Sequence, residues 1–278
     1  MATIRDALRL GRAQLHESPS PALDARLLLE HVTARDHAYL VAHDDEPMPD
    51  DQSAEYHRLL DRAAAHEPIP YIVGHAPFLD LDFIVSPDVL IPRPETEQLV
   101  EIAIRWARER GRVKVVDVGT GSGCIAVSLA RHLPEAEVVA VDISARALAV
   151  AGENIARHVP GRVHLVQGDL LGAIAPGQDL IVANLPYIAG QEWPTLPIGV
   201  KSYEPALALF GGPDGLNLFR VMLPQAAERL NLGGLLLLEI GYQQGDAVTS
   251  LARTSFPEAK ISVEADFSDL DRIVVIRP

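Results

Sequence analysis

From Lys114 onward the chain repeatedly pairs a short apolar run with a stretch of helical period. VKVVDVG, AEVVAVDI, RVHLVQGD and DLIVANLPY are dominated by Val, Ile, Leu and Ala, the pattern of strands covered on both faces. CIAVSLARHL and ARALAVAGENIARH space their apolar residues three and four apart, as one face of a helix does. Strands joined this way form a parallel sheet with helices on both sides, so the fold class is α/β, doubly wound. The pattern continues with a helix over 216–230, the strand GGLLLLEIG, a helix over 244–254, a strand over 261–265 and a final strand DRIVVIRP. Ligands of such sheets sit beyond the carboxyl ends of the strands, so chemistry is sought in the residues that end each strand.

Upstream the texture differs. Ile4, Ala7, Leu8 and Leu15, then Leu23, Leu27, Leu28 and Val32, recur at helical spacings, which predicts several short helices. HDDEPMPDD at 43–51 reads as a solvated loop, with a helix restarting around Ser53. APFLDLDFIVSPDVLIPRP at 76–94 alternates apolar and acidic positions before its prolines, which predicts a hairpin linker, and a helix follows from Glu95 to Arg110. The expected organisation is a helical domain over 1–75, the linker over 76–94 and an α/β domain over 95–278.

Composition removes several function classes. With 278 residues and 48% hydrophobic content the chain can bury a full core. A formal charge of −14 disfavours bare nucleic acid as a partner and favours proteins or small molecules. One cysteine excludes an internal disulfide or a cysteine-rich zinc site, and His75, His132 and His158 show no ligand spacing, so no metal is expected. The first twenty residues lack an apolar signal core and no run reaches the length of a membrane span, so the expectation is a soluble cytoplasmic protein without a membrane partner.

The first strand of the α/β part ends in DVGTGSG, where Gly119, Thr120, Gly121, Ser122 and Gly123 either let a ligand approach the backbone before a helix amino terminus or simply make a tight turn. The spacing G-x-G-x-G departs from the G-x-G-x-x-G of nicotinamide enzymes. The second strand ends at Asp142, placed to accept from both hydroxyls of a ribose. The third ends at Gly168 and Asp169, a carboxylate for an exocyclic amine or a plain helix cap. The fourth ends in Asn184, Leu185, Pro186 and Tyr187. An amide acceptor, a proline that holds Leu185 extended and an aromatic ring suit a planar N–H2 group, where a polar turn capping the strand is the bland alternative.

These residues resemble the class I S-adenosylmethionine-dependent methyltransferases, and among them the amino-methyltransferases with an Asn-Pro-Pro-Tyr-type motif. With EPIPYIVG at 67–74, LIPRPETEQLV at 90–100, VDISARALAVA at 141–151 and YEPALALFGGPDGLNLFR at 203–220, the chain is similar to the protein-(glutamine-N5) methyltransferases of peptide chain release factors, the HemK family, from about residue 5 to the end. The resemblance implies a class I methyltransferase sheet, mostly parallel with its last strand antiparallel, behind a small all-helical amino-terminal domain that helps engage a release factor. It implies S-adenosyl-L-methionine as cofactor, held by Gly119 to Gly123, Asp142, Asp169, Leu170 and Asn184. It implies Asn184, Leu185, Pro186 and Tyr187 as the clamp on the glutamine of a Gly-Gly-Gln loop, with Asn184, Pro186 and Tyr187 carrying catalysis. Glutamine methylation of a ribosomal protein, adenine N6 methylation of nucleic acid, and a non-catalytic cofactor-binding module are the alternatives.

Two departures stand out. Leu185 replaces the family's usual proline, and the segment after Phe78 lacks a glycine often found in the family's hairpin. Arg93, Glu95 and Thr96 either border the amino-acid end of the cofactor or cap the helix that starts there. Glu204 and Pro205 belong to the substrate-facing rim by resemblance. Cys124 reads as a small buried residue, and GGPDG at 211–215 as a turn.

Overall fold

A computed structural model describes residues 3–278. The chain divides into two compact units, one of residues up to His75 together with Pro197–Tyr203, the other of Ala76–Leu196 with Glu204–Pro278. The hairpin expected as a linker thus lies inside the second unit, and a seven-residue segment from the middle of the chain belongs to the first.

The first unit begins with α1 (Ile4–Gln14), α2 (Pro21–Thr33), α3 (His37–Ala42), α4 (Asp50–Ala64) and α5 (Ile69–Val73). Thr3 and Asp6 form a capping box on α1, and the exposed amides of Ile4 and Arg5 are satisfied by the carbonyls of Glu46 and Asp44. The loop at 43–51 is therefore paired rather than merely solvated, and Met48 within it is buried in the core with Leu28, Leu29, Leu59 and Leu60. Helix α4 starts inside the stretch read as loop, its first turn carrying Asp50 and Asp51 at the positive end of the helix dipole.

The second unit opens, from Ala76, with the two-stranded sheet β1 (His75–Phe78, whose first residue is the last of the first unit) and β2 (Leu81–Ile84). Leu79 at its turn has φ 51°, the left-handed conformation that a glycine would take without strain. Its amide donates to the Glu97 carboxylate at 2.8 Å and its side chain packs on the core, which holds the turn without glycine. Next come α6 (Pro94–Arg108), β3 (Lys114–Val118), α7 (Cys124–His132), β4 (Glu137–Asp142), α8 (Ala145–His158), β5 (Val163–Gln167) and β6 (Gln178–Asn184). Helix α9 (Ile198–Tyr203) belongs to the first unit, where the Tyr203 hydroxyl donates to the Ala65 carbonyl at 3.0 Å. The chain ends with α10 (Asn217–Arg229), β7 (Leu230–Glu239), α11 (Gly245–Ser255), β8 (Lys260–Ala265) and β9 (Asp271–Arg277).

Seven strands form one sheet in the order β5-β4-β3-β6-β7-β9-β8, parallel from β5 to β7, with β9 antiparallel to both neighbours. Period-two alternation divides the core. Val115, Leu180, Val182, Leu235 and Leu237 pack under α6 and α7 on one face, and Val116, Val118, Ile181, Leu236 and Leu238 pack under α10 and α11 on the other.

Gly11 on α1 lies at a close contact with α2 and α4. A Cβ there would come within 2.2 Å of the Tyr56 hydroxyl and 2.9 Å of Ala25 Cβ, while the Tyr56 hydroxyl donates to the buried Ala25 carbonyl. Gly11→Ala is expected to lower stability by about 1–3 kcal/mol through overpacking. Chemical denaturation checks it, and a midpoint at or above that of the unmodified protein contradicts this packing.

Candidate active site

The glycine loop leaves the end of β3 and crosses to β4. Gly119 and Thr120 amides donate to the Val141 carbonyl at 2.8 and 3.0 Å, and the Gly121 amide donates to Asp142 Oδ2 at 2.9 Å. Gly119, Gly121 and Gly123 all have positive φ, between 56° and 82°. A Cβ on Gly119 would also meet Leu185 Cδ2 at 3.1 Å. Leu185 is buried against the loop, so the aliphatic residue standing where the family has proline fills the space that Gly119 leaves open. Behind the loop, Asp117 Oδ2 accepts from the Thr120 hydroxyl at 2.6 Å and the Ala126 amide at 3.1 Å, and burial pushes its pKa up to about 7.

Asp142 accepts from Gly121 through one oxygen and from the Ser144 amide through the other, at 2.9 Å each. A carboxylate has about four acceptor sites, so each oxygen keeps capacity for a second donor such as a ribose hydroxyl. No helix begins at Asp169; its carbonyl closes a turn to the Gly172 amide, with Leu170 at φ 50°. Its side chain is therefore not a helix cap. Ser144 is the cap here, accepting from the Ala147 amide at 3.2 Å to start α8.

Gly119 to Ser122, Asp142, Ser144 and Asp169 line one cavity of about 390 Å³, together with Ile143, Leu170, Asn184, Leu185 and Pro186. Arg93 and Thr96 line it too, whereas α6 starts without any side-chain cap, which removes the capping role for them. Asn184 Nδ2 donates to Thr96 Oγ1 at 3.0 Å. Tyr187 is not part of the cavity wall. It packs against the apolar cluster beneath α10 and α11, its hydroxyl lies 3.5 Å from Glu239 Oε1, and burial raises its pKa.

Several residues that build the site carry no sequence signal of that role. Asn154, on α8, bridges the loop and the β1–β2 sheet, donating to the Ser122 and Ile84 carbonyls at 2.9 Å and accepting from the Ile84 amide at 2.8 Å. Glu204, expected on the rim, is buried, ion-paired with Arg93 and bonded to the Ile91 amide at 3.3 Å, so it ties two segments of the cavity wall together rather than facing a ligand. GGPDG does more than turn. A Cβ on Gly211 would meet the Pro186 carbonyl at 2.6 Å, and one on Gly215 the Tyr187 carbonyl at 2.3 Å, so the loop braces the backbone after Asn184. Gln244 completes the brace by donating to the Tyr187 carbonyl at 2.9 Å. Cys124 is buried, and burial pushes its thiol up to about 12.

Residues 6–74 match the model of the PrmC N-terminal domain, and residues 101–196 that of the methyltransferase small domain. A release factor glutamine methyltransferase of Koribacter versatilis is 43% identical over 94% of this chain and 92% of its own length. One of Moorella thermoacetica is 44% identical over 91% and 89%. The chain belongs to the release factor glutamine methyltransferase family. Its catalytic unit has the class I methyltransferase fold. The T. thermophilus 16S rRNA N2 G1207 methyltransferase, solved with AdoMet and guanosine, overlays 73% of this chain and 49% of its own with a TM-score of 0.51 at 20% identity.

S-adenosylmethionine is the methyl donor of this enzyme. The cavity fits it. Acceptor capacity remains on Asp142, apolar faces are offered by Ile143 and Leu170, and the loop leaves room for backbone approach. Gly119→Ala, which combines an unfavourable φ with the contact to Leu185, is expected to cost about 1–3 kcal/mol locally and to weaken cofactor binding at least tenfold. Calorimetric titration measures this; unchanged affinity would show that the loop does not hold the donor.

Proposed function

We propose that the enzyme transfers a methyl group from S-adenosylmethionine to the side-chain amide nitrogen, N5, of the glutamine in the Gly-Gly-Gln motif of peptide chain release factors. The observation that carries this reading is the anchored amide of Asn184. Its Nδ2 is engaged by Thr96, which leaves Oδ1 as the acceptor available at the cavity, beside the glycine loop.

The chemistry needs such an acceptor. An amide nitrogen has its lone pair delocalised into the carbonyl and attacks poorly. When bound, S-adenosylmethionine supplies an electrophilic methyl on a sulfonium. Asn184 Oδ1 takes a hydrogen bond from the substrate N–H2 and turns the nitrogen toward that methyl. Orientation of this kind removes roughly 7–11 kcal/mol of barrier in well-aligned systems. The same oxygen stabilises positive charge growing on nitrogen, a term on the order of 3 kcal/mol per well-placed group. Pro186 keeps Leu185 extended, and the 211–215 brace holds the following carbonyls in place. Tyr187 acts from behind the wall by fixing this backbone rather than by stacking on substrate.

Release factors are accordingly the protein partners, and the cytoplasm, where translation ends, is the proposed location. Among the described residues no helix is long and apolar enough to cross a membrane. The charge of −14 favours a protein over bare nucleic acid as substrate.

A purified release factor incubated with enzyme and S-adenosylmethionine is expected to gain one methyl on the Gly-Gly-Gln glutamine, located by fragment mass spectrometry. Asn184→Ala is expected to lower turnover by at least about a hundredfold, the loss typical of one transition-state acceptor, with cofactor affinity nearly unchanged. Equal loss of both, or methyl transfer to another residue, contradicts the assignment.

A further inference from the structure

We propose that Leu207 and Phe210 form an apolar lip at the Asn184 end of the cavity, on which the backbone of the substrate's glycine-rich loop lies while its glutamine reaches Asn184. The inference rests on the reading of the substrate given above and names the residues that set affinity for it.

The segment from Glu204 to Gly211 is fixed at both ends. Glu204 is buried, ion-paired with Arg93 and bonded to the Ile91 amide. At the other end the Ile188 amide donates to the Leu209 carbonyl and the Gly211 amide to the Ile188 carbonyl, at 2.9 Å each. Gly211 also sits against the Pro186 carbonyl. Arg93 and Pro186 line the cavity together with Asn184, so the segment runs along that side of it. Asp142 ends β4, which β3 separates from β6, so the lip is remote from the carboxylate offered to a ribose. Between its anchors the segment makes one helical turn, in which the Leu209 and Phe210 amides donate to the Ala206 carbonyl at 3.1 and 2.9 Å. Leu209 turns inward and is buried. Leu207 and Phe210, three residues apart on one side of the turn, stay 62% and 48% exposed. Leu207 lines the cavity beside Pro205 and Ala208. Phe210 extends the apolar surface outward and is braced edge-on by the Trp193 ring, 6.0 Å away between centroids.

A single exposed leucine is ordinary on a protein surface. This pair differs because it stands at the mouth of the catalytic cavity on backbone that is already fixed, so covering it orders little on the enzyme side. The surface suits an occupant with almost no side chains of its own. Two glycines before a glutamine present only peptide planes and Cα methylenes, and apolar contact with these must supply much of their affinity. Glycine also loses more freedom on being fixed than any other residue, so a rigid surface offered in advance matters most for such a loop. Asn184 Oδ1 and the lip then divide the work. The oxygen acts on the reacting amide, and the lip holds the residues that deliver it. Contact between the lip and the loop is the same before and during methyl transfer, so it lowers KM and leaves kcat unchanged.

The test is steady-state methylation of a purified release factor by the full-length enzyme, alongside calorimetric titration with S-adenosylmethionine. Leu207→Ala is expected to raise KM for the release factor about three- to tenfold, with kcat and cofactor affinity within about twofold of wild type. Phe210→Ala is expected to raise KM about two- to fivefold with the same split. Leu207→Met, which keeps the apolar volume, is expected to stay within about twofold of the wild-type KM. Leu207→Ala with a wild-type KM overturns the proposal. A loss confined to kcat or to cofactor affinity overturns it too, because Leu207 would then serve the reacting groups or the donor. Should Leu207→Ala fail to fold, Leu207→Gln takes its place with the same expectation and the same overturning result. A wild-type enzyme that methylates no glutamine instead overturns the parent reading. An active wild type whose Leu207 and Phe210 variants keep its KM removes only the lip.

Discussion

One rung of the hydrogen-bond ladder organises the catalytic unit. Val118 is level with Val141 on one side and with Ala183 on the other, and Ala183 is level with Leu238. The next residue in each strand therefore falls on one line across four strands, in the order Asp142, Gly119, Asn184, Glu239. Strands buried on both faces fix this register strongly, because a slip of one residue would exchange the two core faces. Apolar packing far from any ligand thus decides that a carboxylate, a glycine, an amide and a second carboxylate stand side by side at the sheet's carboxyl edge.

That edge is where the protein concentrates electrostatic tension. Asp117, Glu204 and Glu239 are buried within reach of it, in a chain already carrying an excess of negative charge. Each is held differently. Glu204 has the Arg93 guanidinium, Asp117 has the donors of its own loop, and Glu239 has hydroxyls and an arginine shared with Asp266. Only the first is compensated by a full opposite charge at contact, and the other two have pKa values raised by desolvation. Buried groups in this condition are costly to keep and cluster where function needs them.

What the sequence discloses follows from how local each signal is. The sheet, the glycine loop and Asn184 were legible because strand periodicity and strand ends are read within a dozen residues. The antiparallel last strand followed only from resemblance to the family, since nothing in DRIVVIRP states its direction. Asn154 and Glu239 escaped a role in the site, and Glu204 was placed on the rim without its ion pair, because their partners lie far away in the chain. Asn154 meets Ile84 and Ser122, Glu204 meets Arg93, and a Glu in the apolar run LLLLEIG carries no mark of the Tyr187 hydroxyl that reaches it. Tyr187 is the complementary case: its motif lies at the strand end, and its side chain packs, partly buried, against the cluster that α10 and α11 cover. Met48 in an acidic loop is a smaller case, where composition suggested solvent and a single side chain found the core.

The helical unit takes one of its helices, α9, from a point more than a hundred residues downstream of the rest. A chain leaving the ribosome exposes α1 to α5 early but cannot complete that unit until residue 203 has emerged, after β3 to β6 have been synthesised. The first unit to appear is therefore not the first that can be finished, and most of the parallel sheet is already available when the missing helix arrives. The same topology means that no single cut separates the units. A fragment beginning at Ala76 would carry Pro197–Tyr203 without the surface they pack on, and one ending at His75 would leave that surface bare.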